Sequence, residues 1–214
     1  MSTINSPRSK TKINHLWIVL MLSGLSMVTH SAVSFAVVHK IGEKYGGGVV
    51  YYVDKTGNHG LIAAPADINT SYTDAWEGEP VTGRYCWSTN QYESENNIDY
   101  AYQYISNTGT AIGQGSANTK KLLAKYPASS YPNTAAAIAH TYRGGGFDDW
   151  FLPSRDELNQ LFLHKAVVGG FTGGGYWSST EVDTYFSWFQ GFTSGTMIDY
   201  VKNETWLVRP VRAF

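Results

Sequence analysis

The apolar positions of this 214-residue chain change period several times, and each change predicts an element. Val49 to Val53 is a β-branched and aromatic run that predicts a strand. Asp54 to Asn58 is a turn, and Gly60 to Ala64 predicts a second strand closing a hairpin ended by Pro65. Leu122, Leu123 and Tyr126 predict a short helix starting near Asn118, and Thr134 to Tyr142 an alanine-rich one. The sharpest pattern follows Pro153. Leu158, Leu161 and Phe162 recur at i, i+3, i+4, and Ser154 and Glu157 have the spacing of a capping box at the helix start. Gly169 and Gly170 end that helix. Strands are then expected at 176–181, 184–192, 196–201 and 206–214. Strands at both ends with helices between predict an α+β domain whose N- and C-terminal strands lie adjacent in one antiparallel sheet.

Between these elements, 66–112 has no clear period. It is rich in Asn, Ser, Thr and Gly, and carries Trp76, Tyr85, Trp87, Tyr92, Tyr100, Tyr102 and Tyr104. Aromatics in a long polar loop either pin it to the domain or bind something. Gly144 to Gly146, just before the best-marked helix, points to positive φ or a close backbone approach.

The first 36 residues read as a secretory leader. Arg8, Lys10 and Lys12 precede an apolar run from Leu16 to Met27, and small residues follow. Cleavage is expected after Ser31 or, preferably, Ala36. The competing reading is an uncleaved anchor, but the run falls short of the ~20 residues of a spanning helix. Residues 37–214 are expected to form one domain, exported to the periplasm, the cell surface or the medium. Without the leader, 13 basic residues face 17 acidic ones, a formal charge of −4. That balance argues against nucleic acid as a partner. The single cysteine, Cys86, excludes an intramolecular disulfide and reads as a small buried hydrophobe, with an intermolecular bridge as the alternative.

The segment Tyr142 to Ser154, then Glu157 and Leu158, then Tyr176 to Glu181, then Val208 to Arg212 resembles one domain family. It is the family of the C-terminal domain of the Legionella collagen-like adhesin, long catalogued as a domain of unknown function. The resemblance covers nearly all of 41–214. It implies a fold related to C-type lectin-like domains and to formylglycine-generating enzymes, with small antiparallel sheets, two or three helices and long loops. It also implies binding of sulfated glycosaminoglycans and assembly as a trimer. The collagen-like repeats of the founding member are missing here.

Formylglycine-type oxidation needs paired cysteines, which this chain lacks. His39, His59, His140 and His164 lie in no nucleophile motif, and no zinc-ligand spacing is seen. The chain is therefore read as non-enzymatic, with no catalytic residue. Asp148, Asp149, Glu181, Asp183 and Asp199 are oxygen ligands of the kind calcium takes, although their spacing is not diagnostic. The plainer expectation is that Asp148 braces the glycine loop and pairs with Arg143 or Arg155, and that no cofactor is held. Asp183, Tyr185, Trp188, Gln190 and Asp199 fall in the segment that forms ligand-binding loops in lectin-like folds. Aromatic faces with planar polar side chains recognise sugars, but a surface protein fits equally well. Trp177 is read as core. Lys120, Lys121 and Lys125 are read as one exposed helix face, either simply solvated or a binder of sulfate groups. The remaining class is a structural, oligomerising surface or periplasmic protein without a small ligand.

Overall fold

The computed structural model describes residues 37–73, 78–89, 92–93, 98–99 and 102–214. The leader, Trp76, Tyr100 and the Tyr92 side chain lie outside the described residues. The domain is α+β with small antiparallel sheets. The largest contains β1 (Lys44–Tyr45), β2 (Gly48–Val53), β3 (Gly60–Ala63) and β13 (Val211–Ala213), in the order β1-β2-β3-β13. Both ends of the domain therefore share one sheet. The second contains β9 (Gly175–Glu181), β10 (Phe186–Gly191) and β11 (Met197–Val201), with β10 central. Two-stranded pairs join β4 (Ser71–Thr73) to β5 (Pro80–Thr82), β6 (Tyr85–Cys86) to β12 (Thr205–Trp206), and β7 (Tyr92–Glu93) to β8 (Ile98–Asp99).

The four-stranded sheet is covered on both faces, which is why its strands read as continuous apolar runs. Val49, Tyr51, Leu61, Ala63 and Val211 pack on one face against Leu158 and Leu161 of α3 (Arg155–Leu163). Val50, Ile62 and Ala64 pack on the other, against Trp150. The helix with the clearest sequence signature thus sits on the sheet shared by both chain ends. A separate core gathers Trp87, Trp177 and Phe189 with Leu122 of α1 (Gly115–Lys125) and the alanines of α2 (Ala135–Thr141). Trp177 is fully buried, and its indole N–H donates to the Tyr85 carbonyl at 2.8 Å. Tyr85 and Trp87 pin the polar 66–112 segment to the domain, and Cys86 is buried between them.

Three boundaries differ from expectation. Helix α1 begins at Gly115, not Asn118. Asn118 is one turn inside, and its buried amide exchanges two bonds with the Gly109 backbone, at 2.7 and 2.8 Å. A polar residue that looked like a cap is a loop anchor. Helix α3 ends at Leu163, and a separate turn, α4 (Lys165–Val168), carries the chain to Gly169. The expected last strand is broken between Trp206 and Val211, where Arg209 and Pro210 take other partners.

The capping box forms as its residues require. Ser154 Oγ accepts from the Glu157 N–H, and Glu157 Oε2 accepts from the Ser154 N–H at 2.8 Å. The box also reaches outward: Ser154 Oγ donates to the Ala111 carbonyl at 2.9 Å, and Glu157 Oε1 accepts from the Gly113 N–H at 2.7 Å. Burial pushes the Glu157 carboxyl above its ordinary range, while the N–H groups around it oppose that rise. Ser154→Ala is expected to cost about 1–2 kcal/mol, the upper part of the range for lost N-caps, because a carbonyl is orphaned as well. Urea unfolding measures it, and a change below about 0.3 kcal/mol would show that the cap does not hold the helix.

Candidate functional site

Strand β10 carries the sequence-expected aromatic group and sits between β9 and β11. Its register places Trp188 opposite Asp199 and Gln190 opposite Met197. Alternation then puts Trp188, Gln190 and Asp199 on one sheet face. Part of this face lies under α3. The Arg155 guanidinium sits over the Trp188 ring at 5.2 Å, a cation–π contact. Arg155 is itself held by Asp156 at 2.8 Å. Gln190 is buried and donates to Asn159 Oδ1 at 3.0 Å, while its own Oε1 has no hydrogen-bond partner. Trp188 is half-buried and Asp199 is exposed. The result is a flat indole edge flanked by a guanidinium, two amides and a carboxylate.

Asp183 and Tyr185 lie apart from this face. Asp183 Oδ1 accepts from the Tyr185 and Phe186 N–H groups at 2.7 and 2.9 Å, so this carboxylate braces the β9–β10 turn. Tyr185 is 54% exposed and packs against Tyr102, with the ring centroids 5.2 Å apart and the planes tilted by 55°. The three lysines do not form one free cationic face. Lys121 Nζ donates to the Asn107 carbonyl, and Lys125 Nζ donates to Gln103 Oε1 at 3.1 Å. Both strap the 103–107 segment to α1, and only Lys120 of the three points away without a protein hydrogen bond among the described residues.

The carboxylates weighed for calcium are dispersed. Glu181 pairs with Lys202 at 2.5 Å and accepts from the Ile105 N–H at 2.9 Å. Asp149 pairs with Arg212. The expected pairing of Asp148 with Arg143 or Arg155 is not what forms: Arg143 donates to the His140 and Tyr142 carbonyls, both at 2.9 Å, and Arg155 takes Asp156. Among the described residues, no three His, Cys, Asp or Glu side chains come together as a metal-binding group.

No family model matches this chain, and no curated protein matches it. Among the described residues, no helix is long and apolar enough to cross a membrane.

Sequence reasoning did not single out Asn159, and it expected Arg155 to pair with Asp148 rather than to sit over Trp188. The i, i+4 spacing of the two, one helical turn apart, is the signal that places both beside β10. It also missed the buried pair formed by Glu181 and Lys202. Lys202 is fully buried and donates to the Thr184 and Gln103 carbonyls at 2.8 and 3.3 Å besides Glu181. Burial pushes the Lys202 ammonium down and the Glu181 carboxyl up, and each partner resists the other's shift. Nothing in a Val201-Lys202-Asn203 turn marks the lysine as internal.

Proposed function

We propose that this chain is an exported, non-enzymatic binding module of C-type-lectin-like architecture that recognises carbohydrate through the Trp188–Gln190–Asp199 face. The observation that carries this is the register of β10 on β11, which sets a half-buried indole and an exposed carboxylate on one face, with the buried Gln190 amide bracing that face against α3. Sugars offer an apolar C–H face for the indole and hydroxyls for the planar polar groups beside it. Lys121 and Lys125 are engaged by the 103–107 segment, which favours an uncharged saccharide at this face over a sulfated one.

A glycan array probed with the purified protein, with and without calcium, tests the proposal. Trp188→Ala is expected to weaken glycan binding at least tenfold, about 1.4 kcal/mol, in a protein that stays folded at the assay temperature. Wild-type protein that binds no glycan at millimolar concentration would remove the reading. Light scattering separates it from the oligomerising alternative: an oligomer without glycan affinity would favour a structural role.

A further inference from the structure

A recess lies beside the sheet shared by the chain ends. It has a volume of about 360 Å³, and its walls include His39, Tyr45, Asn58, Phe147, Arg212 and Phe214. That size falls within the range of about 300–1,000 Å³ common for small-ligand sites. Gly46 and Gly47 form its rim, and both have positive φ. The backbone at Gly47 runs so close to Gly144 and Gly145 that a side chain there would collide with them. The rim is therefore fixed by glycine-on-glycine contact.

One wall is aromatic. His39 and Tyr45 lie 4.0 Å apart, and Phe214 sits edge-on at 4.7 and 5.5 Å from the two rings. Tyr45 is 42% exposed, so part of its ring remains open. The recess is also lined by Arg212, whose guanidinium lies 3.8 Å from the Phe147 ring centroid. Arg212 Nε donates to Asp149, and among the described residues neither terminal guanidinium nitrogen has a protein partner. The guanidinium plane is thus immobilised on two sides, with its outer fork unspent. A fixed fork of this kind matches the two oxygens of a carboxylate. The Asn58 amide and the open ring of Tyr45 add a hydrogen-bonding group and a stacking surface.

We infer that this recess binds the carboxylate of an acidic sugar ring of the uronate type, with the ring stacked on Tyr45 and the carboxylate held by Arg212. The site uses no residue of the Trp188 face and stands or falls separately from it. Asp149 offsets part of the Arg212 charge, so a single uronate binds in the millimolar range. A uronate unit within a polysaccharide and the free acid share this chemistry. Their relative affinities distinguish the two sources.

Saturation-transfer NMR with glucuronate, glucose and acetate on the full chain tests this. Glucuronate is expected to show transfer at about 10 mM, with glucose and acetate at least tenfold weaker. Arg212→Lys keeps the charge but loses the fork, and is expected to reduce glucuronate binding about tenfold. Tyr45 lies in a two-residue edge strand, so Tyr45→Ala leaves the fold intact and gives a second readout, again about a tenfold loss. Trp188→Ala retains glucuronate binding. The inference is overturned by no transfer to wild-type protein, by equal binding of glucose, or by transfer unchanged in both recess variants.

Discussion

Lys202→Met is expected to lower stability by about 3–5 kcal/mol, among the largest effects of any single substitution in this domain. The size follows from what is left behind. Lys202 Nζ is 2.5 Å from Glu181, and the two side chains are 0% and 2% exposed. The ammonium also lies 5.0 Å from the Trp87 ring centroid and ties down the Gln103 and Thr184 carbonyls. Methionine fills the space but leaves Glu181 as a buried carboxylate without its cation. The urea midpoint should fall by roughly 2 M at a slope typical for a domain of this size. The loss is pH-dependent. Burial already raises the Glu181 carboxyl, and removing Lys202 takes away the main opposing influence, so it rises further. A folded-state value above the unfolded one favours folding below the ordinary glutamate pKa of 4.5, and that advantage fades as pH rises through the folded value. The variant should therefore be closest to wild type in mild acid and worst at neutral pH. Adding Glu181→Leu should recover much of the loss at pH 7, because a buried pair replaced on both sides costs far less than one broken on one side. A single-variant cost below about 1 kcal/mol would mean that the pair is solvated.

The parts of the fold that were legible are those in which one local rule decides the outcome. Ser154 and Glu157 fixed the start of α3, and Leu158 and Leu161 fixed the face it buries. The apolar runs of β2 and β3 announced a hairpin, which forms as expected. What local rules cannot reach is side-chain partnership across the chain. Asp67 and Arg209 are 142 positions apart, and Arg212 reaches back 63 positions to Asp149. Asn118, Lys121 and Lys125 carry ordinary helix-surface residue types, yet all three hold the 103–109 loop. At the candidate site, the sequence grouped Asp183, Tyr185, Trp188, Gln190 and Asp199 by segment; the β10–β11 register keeps only Trp188, Gln190 and Asp199 on one face, and Arg155 joins them only through the docking of α3. The Ser178–Thr180 stretch shows the same limit. It reads as ordinary strand, but the β9–β10 pairing slips there: the Ser179 N–H donates to the Pro153 carbonyl and the Thr180 hydroxyl to the Gly109 carbonyl, while the Glu181 N–H that follows donates to Thr108 Oγ1.

Asp67→Ala is expected to be about as costly as the lysine change, again about 3–5 kcal/mol, for a related reason with a different geometry. Arg209 has a fully buried side chain, and Asp67 Oδ1 accepts from its Nε and Nη2 at 2.8 and 2.7 Å. The rest of the guanidinium is spent on backbone: Ala64 at 2.9 Å, Gly169 at 3.1 Å and Gly170 at 2.5 Å. It also stacks 3.9 Å from the Phe171 ring centroid. Asp67 Oδ2 meanwhile accepts from the Tyr176 hydroxyl at 2.7 Å and from the Thr172 hydroxyl at 3.1 Å. One carboxylate therefore joins the loop after β3 to the loop before β9, across the broken C-terminal strand. Alanine would strand a guanidinium and a phenol together in the interior. Arg209→Lys should also be damaging although the charge is kept, because an ammonium cannot reproduce the fork that meets Asp67 and three carbonyls at once. Tyr176 supplies an independent readout. Burial first, and then its bond to the Asp67 carboxylate and that group's charge, push its phenol well above the ordinary tyrosine range. In Asp67→Ala the two Asp67 contributions vanish, so one tyrosine should ionise at lower pH in a spectrophotometric titration of the folded protein. An unchanged tyrosine titration together with an unchanged urea midpoint would show that Asp67 is not the anchor of Arg209 in solution.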